Sequence, residues 1–345
     1  METNSYTSSS RSKNHIWLKL AAFVIVFSLL IYNIGEYYEE IAKKNQNVTD
    51  YKRAWDEFYS VPEDSLDLVF IGSSHAYCTF DPQLIDEKLG TNSFNFGSPL
   101  QFPDSSYHVF KEVLKYQKPE TLVYEIYWDM IDDEFDLTQA DTVINAVDRD
   151  AFRREFIRDA FPLNEIGKYA FKPVRFQQDV FNYWNQDLKE KLEERINPIM
   201  TKEEEGVSYH KGRGFIYSDI VIGEDKYDST NQFRGFDGSD WDFDKGQKAY
   251  IKKMVDLARE RDIEVIFVTA PIANVSMDHI ENYKALHEKI AGFADDLGVA
   301  YRDYNLVNME KDLFENENFR DDAHLNYSGV EIFTEDFADW YKELK

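Results

Sequence analysis

The stretch LDLVFIGSSHAYCTFDP, residues Leu66–Pro82, begins as a buried strand and ends in residues that are poor core material. Its apolar run stops at Gly72, and two serines and a histidine follow. A serine becomes a useful nucleophile only when a neighbouring base takes its proton, and small residues at a strand end leave it accessible. The stretch therefore predicts a buried strand that ends at a reactive serine.

Further apolar runs follow the first one, and helical stretches separate most of them. They are Ser93–Pro99, Thr121–Trp128, Ile263–Pro271 and Gly298–Tyr304. Buried strands that alternate with helices predict an α/β fold with a central parallel five-stranded sheet between two layers of helices. Helical periodicity supports this prediction, since one helix face would carry Tyr283, Leu286, Ile290, Phe293 and Leu297.

The N-terminal segment Ile16–Gly35 is apolar apart from Lys19. At about 1.5 Å per residue it is long enough to cross a hydrocarbon core of about 30 Å. Basic residues precede it and acidic residues follow it, which predicts a cytoplasmic N-terminus and an extracytoplasmic remainder. A cleaved signal peptide is the alternative, but the following YNIGEYYEE has no small-x-small cleavage site. We therefore predict a single-pass cell-membrane protein anchored through residues 16–35.

The predicted organisation has four segments in chain order. They are a cytoplasmic tail (1–15), a transmembrane anchor (16–35), a polar helical stalk (36–63) and an extracytoplasmic domain (64–345). Residues from about 130 to 246 are too many for one crossover between strands three and four. We interpret them as an insertion that covers the site or binds substrate, with structural elaboration as the alternative. Its aromatic residues, for example Tyr183, Trp184 and Phe215, are candidates for stacking on sugar rings.

Composition excludes some classes of function. The formal net charge of −26 argues against nucleic acid as a partner, because phosphate binding needs a basic face. The single cysteine, Cys78, excludes an internal disulfide, and a small buried thiol is its favoured role over that of nucleophile. Three histidines, His75, His108 and His324, lack the spacing of a dedicated metal site, so we predict no metal and no cofactor.

The stretch FRDDAHLNYSG, near the C-terminus, supplies a candidate base. Asp321 lies three residues before His324, a spacing at which the carboxylate holds the ring through Nδ1 and leaves Nε2 facing the site. Ligands of open α/β sheets bind beyond the carboxyl ends of the strands, and both Ser74 and His324 are predicted there. The backbone N–H groups of Ser74 and Gly97 are the candidate oxyanion donors. Ser328 and Glu331 match a capping box for the last helix.

Taken together, FIGSSHAY, FNFGSP and DDAHLN resemble the SGNH/GDSL hydrolase superfamily. The resemblance covers about residues 64 to 345, interrupted by the insertion. It implies a flavodoxin-like sheet, with Ser74 as the nucleophile, Gly97 as the second-block glycine, and Asp321 and His324 as the remaining catalytic pair.

One block of that family is absent. Its members usually carry Gly-x-Asn-Asp after strand three, and the Asn donates to the oxyanion, whereas this chain reads EIYWDM. Tyr127 and Trp128 are candidate substitutes, and His75 is a candidate accessory residue that otherwise shapes the turn. An α/β-hydrolase elbow is an alternative match to the Gly-Ser-Ser-His-Ala stretch. That elbow opens directly into a helix, whereas here we expect the helix to begin later, at Asp81–Pro82.

A Gly-Ser-Ser first block with an N-terminal anchor resembles the extracytoplasmic proteins of teichoic-acid D-alanylation and alginate-type O-acetylation. The resemblance implies serine-dependent acyl-ester chemistry, either O-acyl transfer or deacylation, on a bacterial cell-surface glycan or cell-wall polymer. It also implies a membrane-bound O-acyltransferase as a partner. The alternative is a non-catalytic binding or docking subunit of a surface-polymer acylation complex.

Overall fold

The computed structural model describes residues 10–45, 50–185, 206–221 and 231–345. The chain divides into two compact units. The first unit comprises residues 1–47 and 162–198, and the second comprises the rest of the chain. Part of the predicted cytoplasmic tail, residues 1–9, and the end of the helical stretch in the insertion, residues 186–198, lie outside the described residues.

The strands of the described chain belong to one large sheet and two small ones. In chain order they are β1 (Leu68–Ile71), β2 (Ser93–Asn95), β3 (Thr121–Glu125), β4 (Ser208–Gly212), β5 (Phe215–Ser218), β6 (Phe236–Asp237), β7 (Glu264–Thr269), β8 (Ile280–Glu281) and β9 (Ala300–Asp303). The large sheet has the order β2-β1-β3-β7-β9, and every pairing in it is parallel. This arrangement confirms the predicted five-stranded parallel sheet.

The helices account for most of the remaining described residues. They span Ser10–Asn45, Asp50–Phe58, Ser74–Thr79, Pro82–Leu89, Pro103–Val113, Leu137–Val147, Asp150–Ala160, Leu163–Ala170, Lys172–Arg175, Gln177–Trp184, Lys245–Arg259, Asn274–Met277, Tyr283–Leu297, Tyr304–Lys311 and Tyr327–Leu344, with 3₁₀ turns at Trp128–Met130 and Asn316–Asn318. An insertion separates β3 from β7, as predicted, and contains helices together with the β4–β5 hairpin.

Alternating side chains of the sheet build two cores. Leu68 and Phe70 of β1 point to one face, where they pack with Phe333 and Phe337 of the C-terminal helix. On the other face, the helices Pro103–Val113 and Lys245–Arg259 pack against each other and contact the sheet. Because both faces are covered, the central strands are buried along almost their whole length, which explains their continuous apolar sequence.

The region predicted as a polar stalk differs in the structure. Asp50–Phe58 is a helix whose Trp55 and Phe58 are each 1% exposed. Their rings pack against Phe96, with centroids 5.3 and 4.8 Å away, respectively. Aromatic burial on this scale, worth about 1.5–3 kcal/mol per side chain, fixes this helix to the sheet unit.

The first unit is built on the long helix Ser10–Asn45. Within it, Ile16–Ala42 is long and apolar enough to cross a membrane, and no other helix of the described residues is. The apolar side chains of this helix are exposed from Ile16 to Ile34, and it has the properties of a membrane anchor or a signal sequence. Shorter helices of the insertion, Lys172–Arg175 and Gln177–Trp184, pack against it.

Candidate functional site

Ser74 lies just beyond the carboxyl end of β1, at the start of the helix Ser74–Thr79. Two residues, Gly72 and Ser73, separate it from the strand, and the Ser73 side chain caps the helix by accepting the His75 N–H at 3.2 Å. A helix does begin at Asp81–Pro82, as expected, with Asp81 as its N-cap. The expectation that no helix precedes it is wrong, because the helix Ser74–Thr79 begins at the serine itself. The serine is partly exposed.

The hydroxyl of Ser74 is hydrogen-bonded to the ring of His324. Ser74 Oγ lies 2.8 Å from His324 Nε2, although the two residues are 250 positions apart. On the other side of the ring, His324 Nδ1 lies 2.8 Å from Asp321 Oδ1 and 3.0 Å from Oδ2. An ionised carboxylate only accepts hydrogen bonds, so Nδ1 carries the proton and Nε2 offers its lone pair to the serine.

Hydrogen bonds from backbone N–H groups to the Asp321 side chain hold the loop that carries this pair. Asp321 Oδ1 accepts the N–H groups of Ala323 at 2.9 Å and His324 at 2.8 Å. Burial acts against ionisation, but the charge and hydrogen bond of His324 and the charge of Arg320 together hold the pKa of Asp321 well below its usual range. Asp321 is therefore ionised at neutral pH, and His324 keeps the orientation that a base needs.

Of the candidate accessory residues, His75 packs against Tyr127 and His324, whereas Trp128 lies in the core. His75 is 2% exposed, and its ring lies between Tyr127, at 4.2 Å between centroids, and His324, at 4.7 Å. Burial, followed by the nearby His324, lowers the pKa of His75 well below its usual value, so it is a neutral ring packed against the base. Trp128 is 1% exposed and packs against Phe233, which makes it a core residue.

The second candidate oxyanion donor is already engaged. The Gly97 N–H donates to Asn95 Oδ1 at 2.9 Å, and the other end of that amide donates to the carbonyl groups of Ala76 and Phe80. A Cβ atom at Gly97 would lie 2.9 Å from both the Ala76 Cβ and the Ser73 carbonyl oxygen. The glycine is thus required for close approach to the serine-bearing helix, whereas an oxyanion role would need its N–H to leave Asn95.

A model of proteins of unknown function, DUF1574, matches residues 27–331. The chain belongs to the DUF1574 family. No curated protein matches the sequence.

Several solved structures resemble the DUF1574 chain in fold. A GDSL-like lipase from Bacteroides thetaiotaomicron has 12% identity and a TM-score of 0.38, over 86% of this chain and 98% of its own. A proposed acylhydrolase from Bacteroides fragilis has 12% identity and a TM-score of 0.39, over 85% and 95%. A proposed lipolytic protein of the G-D-S-L family from Desulfitobacterium hafniense has 13% identity and a TM-score of 0.37, over 79% and 97%. Similarity at this level does not by itself support a function for the DUF1574 chain.

Sequence reasoning missed Glu125, the last residue of β3. Its Oε2 accepts both the N–H of Ser73, at 2.9 Å, and the Ser73 hydroxyl, at 2.8 Å. A Cβ atom at Gly72 would lie 2.7 Å from the same oxygen, so only glycine leaves room for the carboxyl group. The available signal was an acidic residue inside an otherwise apolar strand. Glu125 holds the turn that presents the serine.

Two other sequence candidates lie outside the hydrogen-bonded set. Burial raises the pKa of the Cys78 thiol to about 12, which keeps it protonated and a poor nucleophile. His108 stacks on Phe156, at 4.5 Å between ring centroids, and is 2% exposed. Among the described residues, no group of three or more His, Cys, Asp or Glu side chains is arranged to hold a metal ion.

Proposed function

We propose that this DUF1574 protein catalyses acyl-ester chemistry through an acyl-enzyme on Ser74. One observation carries the proposal, namely the continuous hydrogen-bonded chain from Ser74 Oγ through His324 to Asp321. The serine is partly exposed, its base is oriented by an ionised carboxylate, and the three residues sit at the carboxyl edge of a parallel sheet.

The first half-reaction forms the acyl-enzyme. Ser74 Oγ attacks the ester carbonyl carbon while its proton passes to His324 Nε2, and the carbonyl oxygen becomes an oxyanion. When the tetrahedral intermediate collapses, the bond to the alcohol breaks and His324 Nε2 returns the proton to the leaving oxygen. Asp321 stabilises the imidazolium that exists between the two transfers and does not itself take the proton.

The second half-reaction releases the acyl group. Water or a sugar hydroxyl gives its proton to His324 and attacks the acyl carbon, and Ser74 regains its proton as it leaves. Water yields deacylation, whereas an oriented hydroxyl yields O-acyl transfer. The N–H of Ser74, at the first position of a helix, is the oxyanion donor we propose, because amides there have no intrahelical acceptor.

For the substrate class, we propose a cell-surface glycan or cell-wall polymer outside the membrane, with a membrane-bound O-acyltransferase as partner. The support is the sequence: an apolar N-terminal helix preceded by basic and followed by acidic residues, and a Gly-Ser-Ser block of the kind described above. Of the aromatic residues suggested for sugar stacking, Phe215 is excluded, because it is 1% exposed and belongs to the core.

The test is covalent labelling of the full-length chain in detergent with a fluorophosphonate probe. We expect one labelled residue, Ser74. Ser74→Ala should abolish labelling, and His324→Ala should slow it on the order of 10³-fold or more. Cys78→Ala is the matched control and should label at the normal rate. A folded sample that is labelled elsewhere, or not at all, would contradict the proposed chemistry.

A docking subunit without catalysis is the second candidate. The observation that favours it is the engaged N–H of Gly97, which leaves fewer free donors for an oxyanion than an esterase needs. The two candidates differ in cells. A docking subunit keeps its role in surface-polymer acylation when Ser74 is replaced by alanine, whereas an enzyme loses it.

A further inference from the structure

The insertion contributes a short helical segment that packs on the long N-terminal helix within the first unit. The contact is at the end of the apolar run. Lys172 Nζ lies 2.6 Å from both Glu36 Oε1 and Glu39 Oε2, and a Cβ atom at Gly35 would lie 3.0 Å from the Lys172 Cβ. Gly35 itself is buried by this packing.

The position of this contact along the helix is what matters. From Ile16 to Ile34 the helix exposes its apolar side chains, and at about 1.5 Å per residue this run is about 28 Å long, close to the hydrocarbon thickness of a bilayer. Glu36 and Glu39 therefore lie just past the point where such a helix leaves the hydrocarbon, and the segment that binds them lies at the same level.

The segment Leu163–Trp184 presents large apolar side chains to its surroundings. Those with the greatest exposure are Leu163 (89%), Phe171 (43%), Val174 (37%), Phe181 (60%), Tyr183 (46%) and Trp184 (62%). We refer to these six as the interfacial patch. Its other side is packed, since Tyr169, Phe176 and Val180 are buried. A soluble surface rarely concentrates aromatic side chains in this way without a partner.

The charge of the same segment differs from that of the whole chain. It contains three basic residues, Lys168, Lys172 and Arg175, and two acidic ones, Glu165 and Asp179, for a net charge of +1 against −26 for the chain. Lys172 is paired with Glu36 and Glu39, and Lys168 with Glu165, so the comparison with headgroup-level segments rests on the aromatic residues with polar edges.

We propose that Leu163–Trp184 lies in the headgroup region of the membrane that the N-terminal helix spans, with the interfacial patch inserted at its apolar boundary. The proposal rests on the helix being a retained anchor, and it goes beyond the chemistry proposed for Ser74. Lipid is the occupant we favour, because the helices Lys172–Arg175 and Gln177–Trp184, which carry most of the patch, pack on the N-terminal helix beside the end of its exposed apolar run. Such a segment would fix the height and tilt of the anchor at the membrane surface.

The experiment is fluorescence quenching of the full-length chain in phosphatidylcholine vesicles brominated near the headgroup end of the acyl chains. The six tryptophans are Trp17, Trp55, Trp128, Trp184, Trp241 and Trp340. We expect Trp184→Phe to remove a clear part of the bromine-quenchable emission. Trp17→Phe reports on the anchor itself. Trp340→Phe, on the C-terminal helix, is the matched control and should leave the quenchable part unchanged.

The outcomes separate the patch from the anchor and from the catalytic chemistry. If Trp17→Phe lowers the quenchable emission and Trp184→Phe does not, the patch is not in lipid. It then faces water, a glycan or a second copy of the chain, and the proposal is overturned. If neither variant lowers it, the helix is not in the membrane and the proposal also fails. Fluorophosphonate labelling of each variant at the wild-type rate shows that the fold is intact and that Ser74 chemistry is unaffected.

Discussion

Glu125 lies directly behind the turn that carries the candidate nucleophile, and the residue is 2% exposed. One oxygen accepts two hydrogen bonds from Ser73, and the other is buried without a partner among the described residues. Because a buried charge is costly unless it is well paired, burial raises the pKa of Glu125 to about 7 despite the bonds from Ser73. The turn is therefore sensitive to pH in the neutral range.

Replacing Glu125 by glutamine should flatten the dependence of stability on pH. The pKa of Glu125 rises from 4.5 to about 7 on folding. Below pH 4.5 the carboxyl group is neutral in both states and the free energy of unfolding is undiminished. As the pH rises from 4.5 through about 7, the free energy of unfolding falls, because the folded state resists ionisation. The shift corresponds to about 3 kcal/mol. Denaturant unfolding of both proteins across this range gives the comparison. Burial also raises the pKa of Asp104 to about 6, but Asp104 is present in both proteins and contributes the same pH dependence to each. Parallel curves would contradict the assignment.

His75 packs against His324, the proposed base. Its ring fills the space between His324 and Tyr127, so we expect His75→Ala to let the base move and to lower kcat on small acyl esters about tenfold with KM unchanged. His75→Phe restores a ring of similar shape without a titratable group and should recover most of kcat. Failure of phenylalanine to rescue the rate would indicate that a ring nitrogen of His75 takes part in the chemistry.

At the level of elements, the short helix that begins at Ser74 depends on the strand end beside it. Gly97→Ala places a methyl group against the Ala76 side chain and the Ser73 backbone, which cannot yield as a flexible side chain would. We expect labelling of Ser74 to slow at least tenfold. Gly292→Ala is the control, because a Cβ atom there meets nothing within 4 Å, and alanine in a helix interior stabilises by about 1 kcal/mol. Labelling of Gly97→Ala at the wild-type rate would show that the contact is unimportant.

The C-terminal helix begins differently from the sequence expectation. The prediction of a capping box at Ser328 and Glu331 is wrong. The helix begins at Tyr327, and Asn326 is its N-cap, whose side chain accepts the Gly329 N–H at 3.3 Å. Asn326 also donates to the Glu317 carbonyl oxygen at 2.7 Å, which ties the helix start to the loop before His324. Asn326 is the N-cap rather than Ser328 because its side chain both accepts a helix N–H and donates to a carbonyl group of the preceding loop.

The cap supplies a stability prediction. Asn326→Ala removes the acceptor for the helix N–H and leaves the Glu317 carbonyl without this donor, so it should lower the free energy of unfolding by about 1–2 kcal/mol. Ser328→Ala keeps the cap and should cost less. Thermal or denaturant unfolding of the two variants decides between them, and a larger loss for Ser328→Ala would restore the capping box.

At the scale of the whole molecule, the charge pattern around the apolar helix predicts how the chain is inserted. We expect Arg11, Lys13 and Lys19, at the N-terminal end of this helix, to stay on the cytoplasmic side and the acidic remainder to be translocated. A reporter fused after Lys345, of a kind that is active only outside the membrane, should be active. Replacing Arg11, Lys13 and Lys19 with glutamate should reduce that activity. Reporter activity confined to the cytoplasm would contradict the proposed orientation and the proposed extracellular substrate.

Patterns that are local in sequence determined much of this protein. Continuous apolar runs and helix periodicity were sufficient to predict the parallel sheet. Because strand direction places the carboxyl ends of the strands together, they were also sufficient to predict that Ser74 and His324 lie at the same edge. Only the tertiary structure decided the rest. The 2.8 Å contact of Ser74 with His324, the carboxyl of Glu125 behind the turn and the engagement of Gly97 by Asn95 all depend on side-chain directions across packed elements. Close packing sets those directions, because each side chain must fit against neighbours from several elements. A single stretch of sequence does not specify these neighbours.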